Sequence, residues 1–218
     1  MVFRSKRLPG NQVREFYRII IREIVGIGPP TTDRALQALA WIWHAKEPLT
    51  ELALQEATGA SGTELILGPC MGLVSLSTTG YFQFSHTTTV TEFLAEPKNF
   101  EDLGATLFSP LELAKKCLDY LDSPEFESME VGRHGFGDYA ANYWGDHVRE
   151  VECSLLQGIE DLSHFRFLAS VTKRELMLNL NVRSTSTILH FAAEKGLTKF
   201  CRLCLDAKGR SVASRDCH

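Results

Sequence analysis

Apolar side chains recur along this chain first at helical spacing, then briefly at alternating spacing, then at helical spacing again. Phe16, Ile19, Ile20, Ile24 and Ile27 predict an amphipathic helix, which the Gly26-Ile27-Gly28-Pro29-Pro30 stretch ends, because two prolines cannot continue it. Thr32 or Asp33 is the expected cap of a second helix over 34–45, with Leu36, Leu39, Ala40, Ile42 and Trp43 on its apolar face. A third helix begins at Pro48-Leu49-Thr50-Glu51, runs to Ala57 and stops at Gly59. Ser61-Gly62-Thr63-Glu64 opens a fourth, which carries Leu65, Ile66 and Leu67 until Gly68-Pro69 kinks or ends it.

The period then changes. Residues 73–77 and 81–85 alternate around Thr78-Thr79-Gly80, the pattern of a β-hairpin, and a helix over 88–95 follows. Helix, short helix, helix, hairpin, helix is the order of a winged-helix unit, covering 32–96. Residues 97–109 read as a loop. A helix over 110–121 turns Leu111, Ala114, Cys117, Leu118 and Leu121 inward, and a loose acidic stretch over 122–135 follows. Further helical pattern runs over 136–148, 151–162 and 165–180, so 97–180 reads as an all-helical linker. After it comes Thr187-Ile-Leu-His-Phe-Ala-Ala-Glu-Lys-Gly, then an apolar helix through Leu203 and Leu205.

That last block, 187–216, resembles one ankyrin repeat. Leu189, Ala192 and Ala193 form the small or apolar face of a first helix, beside His190, which the resemblance makes structural. Gly196 permits the tight turn that follows. Phe200, Cys201, Leu203, Cys204 and Leu205 are the expected buried face of the second helix. One extra residue precedes Gly209 relative to the usual pattern, so a bulged turn is expected there, and Asp216 stands where the family has the aspartate of its connecting hairpin. A single repeat cannot bury both faces; about three are needed for independent stability, so the preceding helices are expected to cap this one. The expected fold class is mainly α with one small β-hairpin: a winged-helix domain, a helical linker and the start of an ankyrin array.

Composition narrows the function classes. With 218 residues, 44% of them hydrophobic, the chain can bury a core. Arg18 and Arg22 interrupt the only apolar stretch near the N-terminus, so no signal peptide or membrane span is expected. Six scattered cysteines suit a reducing, intracellular (cytoplasmic) setting, where buried thiols behave as small hydrophobes. The net charge of −4 is uneven: the last quarter, 165–218, carries ten Lys/Arg against four Asp/Glu.

The matching stretches extend beyond the repeat. Ala35-Leu-Gln-Ala-Leu-Ala-Trp-Ile-Trp-His-Ala-Lys-Glu-Pro-Leu-Thr50, Ile66-Leu-Gly-Pro-Cys-Met-Gly-Leu-Val74 and Phe84-Ser85-His86 before Glu92-Phe93-Leu94 resemble the winged-helix segment, of GPI inositol-deacylase type, of fungal NACHT–ankyrin proteins. Ala114-Lys-Lys-Cys-Leu-Asp-Tyr-Leu121 and Tyr139-Ala-Ala-Asn-Tyr-Trp-Gly-Asp-His147 resemble the helical linker those proteins place before their repeats. The resemblance covers most of the chain from Glu15 onward and rests on the order of the motifs. It implies a STAND-type signalling switch, in which a nucleotide-binding domain controls assembly and repeats sense a protein partner. It also implies a division into 1–31, the tail of that domain; 32–96, the winged helix; 97–180, the linker; and 181–218, the incomplete array. The chain departs from the family in lacking any G-x-x-x-x-G-K-[ST] loop to hold phosphates. It therefore reads as a fragment, a degenerate paralogue or a truncated gene model.

Candidate chemistry is sparse. His86, at the junction of hairpin and helix, resembles the histidine that related switches aim at a bound diphosphate, although Thr87 stands where their aspartate often follows. Between Asp33 and Ala95 only Arg34 and Lys46 are basic, against six carboxylates, which argues against DNA on the winged helix. Cys201-x-x-Cys204 near Cys217 and His218 has a zinc-like look, but both cysteines occupy apolar positions of the repeat. His134, Asp138, Asp146 and His147 cluster in a pattern that could suggest a metal or acid–base site, but Tyr139, Ala140, Tyr143 and Trp144 at helical spacing read as the packing face, which leaves the acids Asp138 and Asp146 solvated. No nucleophile, metal set or cofactor site is expected, and the chain is read as non-enzymatic. The leading expectation is a regulatory or scaffold piece that contacts protein through its repeat. The alternative is a nucleic-acid-binding regulator that uses the basic C-terminal quarter.

Overall fold

A computed structural model describes residues 10–96, 98–101, 107–128, 135–157 and 188–213. The expected helix over 165–180 lies outside the described residues, as do Thr187, His134, Asp216, Cys217 and His218. The chain divides into two compact units, Met1–Leu107 and Phe108–His218. The described elements are mainly helical with one two-stranded antiparallel sheet.

In the first unit, α1 (Gly10–Ile27) packs against α2 (Thr31–His44) and buries Tyr17, Ile21 and Ile24, with Tyr17 turned to Thr89 and Phe93 further along the chain. Its inward face is rotated from the expected one, since Phe16, Ile19 and Ile27 lie exposed. Apolar side chains cover too wide an arc of α1 for one contact, and packing selects one edge of that arc. Alpha2 shows the same kind of rotation: Leu36, Leu39, Ala40 and Trp41 are buried, whereas Ile42 and Trp43 are only half-buried. Thr32 does not cap α2, which starts at Thr31 without a side-chain cap. Its hydroxyl instead donates to the Ile24 carbonyl at 2.7 Å and accepts the Gly28 N–H at 3.1 Å, so it clasps the end of α1.

Alpha3 (Glu51–Thr58) begins where Thr50 accepts the Ala53 N–H and ends at Gly59, whose φ of 67° is a left-handed cap. A single helical turn, α4 (Glu64–Leu67), buries Ile66. β1 (Val74–Leu76) and β2 (Phe82–Phe84) pair antiparallel, with Val74 opposite Phe84 and Leu76 opposite Phe82. Along β2 the alternation is complete, Phe82 and Phe84 buried and Gln83 exposed. The other edge of β2 is covered as well: Phe82 N–H donates to the Leu49 carbonyl at 3.0 Å, and Thr50 bridges Tyr81. Alpha5 (Thr87–Leu94) then returns Val90, Phe93 and Leu94 to the core. Where a loop was expected, the one-turn α6 (Lys98–Glu101) packs Phe100 beside Phe93, with ring centroids 5.8 Å apart.

In the second unit, α7 (Pro110–Asp122) starts from a full capping box, in which Ser109 accepts the Glu112 N–H and the Glu112 carboxylate accepts the Ser109 N–H. Leu113, Ala114, Cys117, Leu118 and Leu121 face inward, while Leu111 is half-buried. The stretch read as loose contains a further helical turn, α8 (Pro124–Glu127), with Phe126 fully buried. Alpha9 (Phe136–Leu155) runs unbroken from the expected helix over 136–148 into the start of the one over 151–162, whose residues 158–162 lie outside the described ones, and it packs along α7. Tyr120, Phe126 and Phe136 meet edge-on around this contact. The last described elements are α10 (Ile188–Glu194) and α11 (Thr198–Ala213).

Candidate interaction site

Alpha10 and α11 pack side by side as a helix pair. Gly196 makes the turn between them: its φ is 72°, its N–H donates to Ala193, and the Leu197 N–H reaches back to the Ala192 carbonyl at 2.8 Å. These two bonds close the end of α10, and a side chain at that φ would be strained. Ala192, Leu197 and Phe200 are fully buried, with Cys204 nearly so.

Three contacts from α9 seat this pair. Trp144 and Phe200 approach to 5.4 Å between ring centroids. Lys195 Nζ donates to Asp146 Oδ2 at 2.5 Å, with both side chains mostly buried. Glu152 Oε1 accepts the Phe200 N–H at 3.0 Å, in the first turn of α11, where the helix otherwise leaves an N–H without an internal acceptor and where negative charge is favoured. Burial, and after it the Glu152 carboxylate, raise the Cys201 thiol above its ordinary pKa.

The remaining signature residues divide unevenly. Leu189 and Leu203 are half-buried, and His190 and Ala193 lie exposed. Leu205, expected inside, is 55% exposed, because Phe200 and Cys204 define the inward row and Leu205 stands about 100° round from Cys204. Gly209 lies within α11 instead of at a bulged turn. A helical glycine costs about 1 kcal/mol relative to alanine, and the helix-forming neighbours Ala207, Lys208 and Arg210 carry the helix across it.

The two acids of the polar cluster on α9 are not solvated as expected: Asp138 is buried at 8% exposure and the Asp146 side chain is mostly buried, while His147 is buried at 1%. His147 Nε2 and the Tyr139 hydroxyl are 2.8 Å apart inside the unit, a hydrogen bond between residues two helical turns apart. His147 is thus drawn into the packing face that Tyr139 and Trp144 define, and Asp146 serves the Lys195 ion pair. His86 occupies the cap position of α5 but makes no side-chain cap, and its imidazole is exposed.

Elsewhere in the first unit, an open groove of about 430 Å³ runs between the end of α2 and the hairpin, lined by Ile42, Pro48, Leu49, Tyr81 and Phe84 with Lys46 at its edge. Among the described residues, no group of three or more His, Cys, Asp or Glu side chains is arranged to hold a metal ion. Nor is any described helix long and apolar enough to cross a membrane. No protein-family model matches the chain, and no curated protein or solved structure matches it either.

Proposed function

We propose that the chain is a non-enzymatic regulatory or scaffold element that works by contact with another protein. In this reading 32–96 is a winged-helix-type unit, 97–180 a linker, and 181–218 the opening of an ankyrin-type array in a cytoplasmic NACHT–ankyrin-like signalling protein. The supporting observation is the seating of the helix pair: α9 covers one side through Trp144, Asp146 and Glu152, while Leu205 stays exposed on the other. Repeat arrays are built this way, with one face of a pair capped and the next face offered to a neighbour or a partner. The isolated bridge of Thr50 to Tyr81 stands where a winged helix places a short strand between its first two helices. A nucleotide-binding domain is expected in the parent protein, with His86 as its phosphate sensor. Duplex DNA is not an expected ligand of the first unit.

A photo-crosslinking residue at position 205, compared with one at Glu92 on the first unit, tests the contact. The reading expects a discrete protein adduct from position 205 alone, lost when Gly196→Val disrupts the pair. Equal labelling from both positions would sink it. Nucleotide affinity of the isolated chain that disappears in His86→Ala, or duplex binding that falls steeply with salt, would replace it with a different function.

A further inference from the structure

Alpha1 carries two apolar edges, and only one of them is covered. Tyr17, Ile21 and Ile24 pack inward, while Phe16, Ile19 and Ile27 remain 56%, 46% and 45% exposed. Single exposed apolar residues are ordinary, but these share a stripe. At about 100° per residue, Phe16, Ile20 and Ile27 fall within about 40° of one another, and Ile19 forms the stripe's margin. Just outside Ile19 lie Glu15 and Arg22, both exposed, one above the other and about 10 Å apart along the axis.

That spacing is self-complementary. A two-fold axis perpendicular to α1, lying against its stripe at the level of Arg18 and Ile19, lays a second copy antiparallel across the stripe. Phe16 then packs beside Ile20 of the second copy, and the two Ile19 side chains meet near the axis. Glu15 faces Arg22 of the second copy, and the same pair forms again on the other side of the axis. Under the same operation Glu23, which lies within the stripe, comes level with residue 14 of the second copy, about 3 Å along the axis from Gln12, whose amide can donate to the carboxylate. A parallel pairing has no such match, because there each margin faces the opposite one, where Tyr17 and Ile24 are already buried.

We infer that α1 is a self-association face that docks antiparallel on α1 of a second copy of this chain. The inference stands apart from the reading of the helix pair, since it uses only α1. One helical stripe buries less than the roughly 800 Å² per partner of a stable complex, so the association is weak and concentration-dependent.

Sedimentation equilibrium of the full chain over a wide concentration range tests it, with circular dichroism confirming that each variant is folded. Wild type is expected to show reversible monomer–dimer exchange, and Ile19→Asp to abolish it. Glu15→Arg alone and Arg22→Glu alone each place like charges opposite one another twice, and each is expected to weaken association on the order of tenfold. An equimolar mixture of these two variants puts opposite charges face to face again and is expected to regain wild-type affinity. A wild-type chain that stays monomeric throughout overturns the inference. So does a dimer indifferent to Ile19→Asp, or a mixture that associates no better than its separate components.

Discussion

Glu152 on α9 accepts the backbone N–H of Phe200 on α11 at 3.0 Å, so one helix supplies the N-terminal cap of another that lies 48 residues further along the chain. Neither Leu197 nor Thr198 provides a described side-chain cap there, and the carboxylate meets the positive end of the α11 dipole. The contact is both a cap and a clamp, because losing it frees the helix start and the seat together.

Glu152→Ala is expected to destabilise the helix pair by about 1 kcal/mol. Faster amide exchange in α10 and α11, with exchange in α3 unchanged, is the measurement. The same carboxylate raises the Cys201 thiol, after burial as the larger cause. Removing a negative charge favours the thiolate, so Glu152→Gln should lower the Cys201 pKa and speed its alkylation at fixed pH. An unchanged pH profile for alkylation at Cys201 would refute the electrostatic part.

Thr32 ties the exit of α1 to the entry of α2 with one hydroxyl that both donates and accepts. Thr32→Val keeps the shape and removes both bonds, leaving a buried Ile24 carbonyl short of its donor. The expected loss is about 1–3 kcal/mol in the first unit, with Thr32→Ser recovering much of it. Thermal unfolding followed by tryptophan emission in a Trp144→Phe background reads this unit alone, since Trp41 and Trp43 belong to it. Equal stability of Thr32→Val and wild type would show that the clasp contributes nothing.

Local chemistry was legible in the sequence, and tertiary phase was not. The Gly59 stop, the Gly80 hairpin turn and the Gly196 turn each need a left-handed residue, and in each case the glycine is there to be read. The hairpin follows from a period of two, which no helix imitates. By contrast, α1 has apolar residues on two adjoining edges, and periodicity gives no reason to prefer Ile21 over Ile19. Trp41 was missed beside Trp43 for the same reason. The burial of Asp138 and the bond between His147 and Tyr139 carry no local signal either, since eight residues place the two rings about 80° apart around the helix and only packing brings them together. Glu152 and Asp146 gave no signal, since their partners are set by how α9 meets the helix pair.

The Tyr139–His147 bond is buried between hydrophobic neighbours, where an amphipathic side chain needs its partner most. Tyr139→Phe removes only the oxygen and keeps the ring contacts to Phe136 and Tyr143. About 1–2 kcal/mol of stability is expected to go from the second unit, measured as a shift in urea midpoint with an unchanged slope. A change in slope would mean that the packing around α9 itself had altered.

Cys70 sets an alkaline limit on the first unit. Its thiol is fully buried, with Sγ 4.0 Å from the Ala35 carbonyl, and burial pushes its pKa from the ordinary 9.0 up to about 12. A pKa raised by folding means that the folded chain holds this proton more tightly than the unfolded chain. The corresponding stability is fully present below pH 9.0 and is lost as pH rises from there towards about 12. Through that window the slope contributed by one such group is ~1.4 kcal/mol per pH unit. Urea titrations of wild type and Cys70→Ala at a series of alkaline pH values separate this group from the lysines and tyrosines that titrate beside it. The variant is expected to start less stable, because it leaves a small void, and to lose stability more slowly with pH. Parallel slopes would mean that another buried acid governs alkaline unfolding.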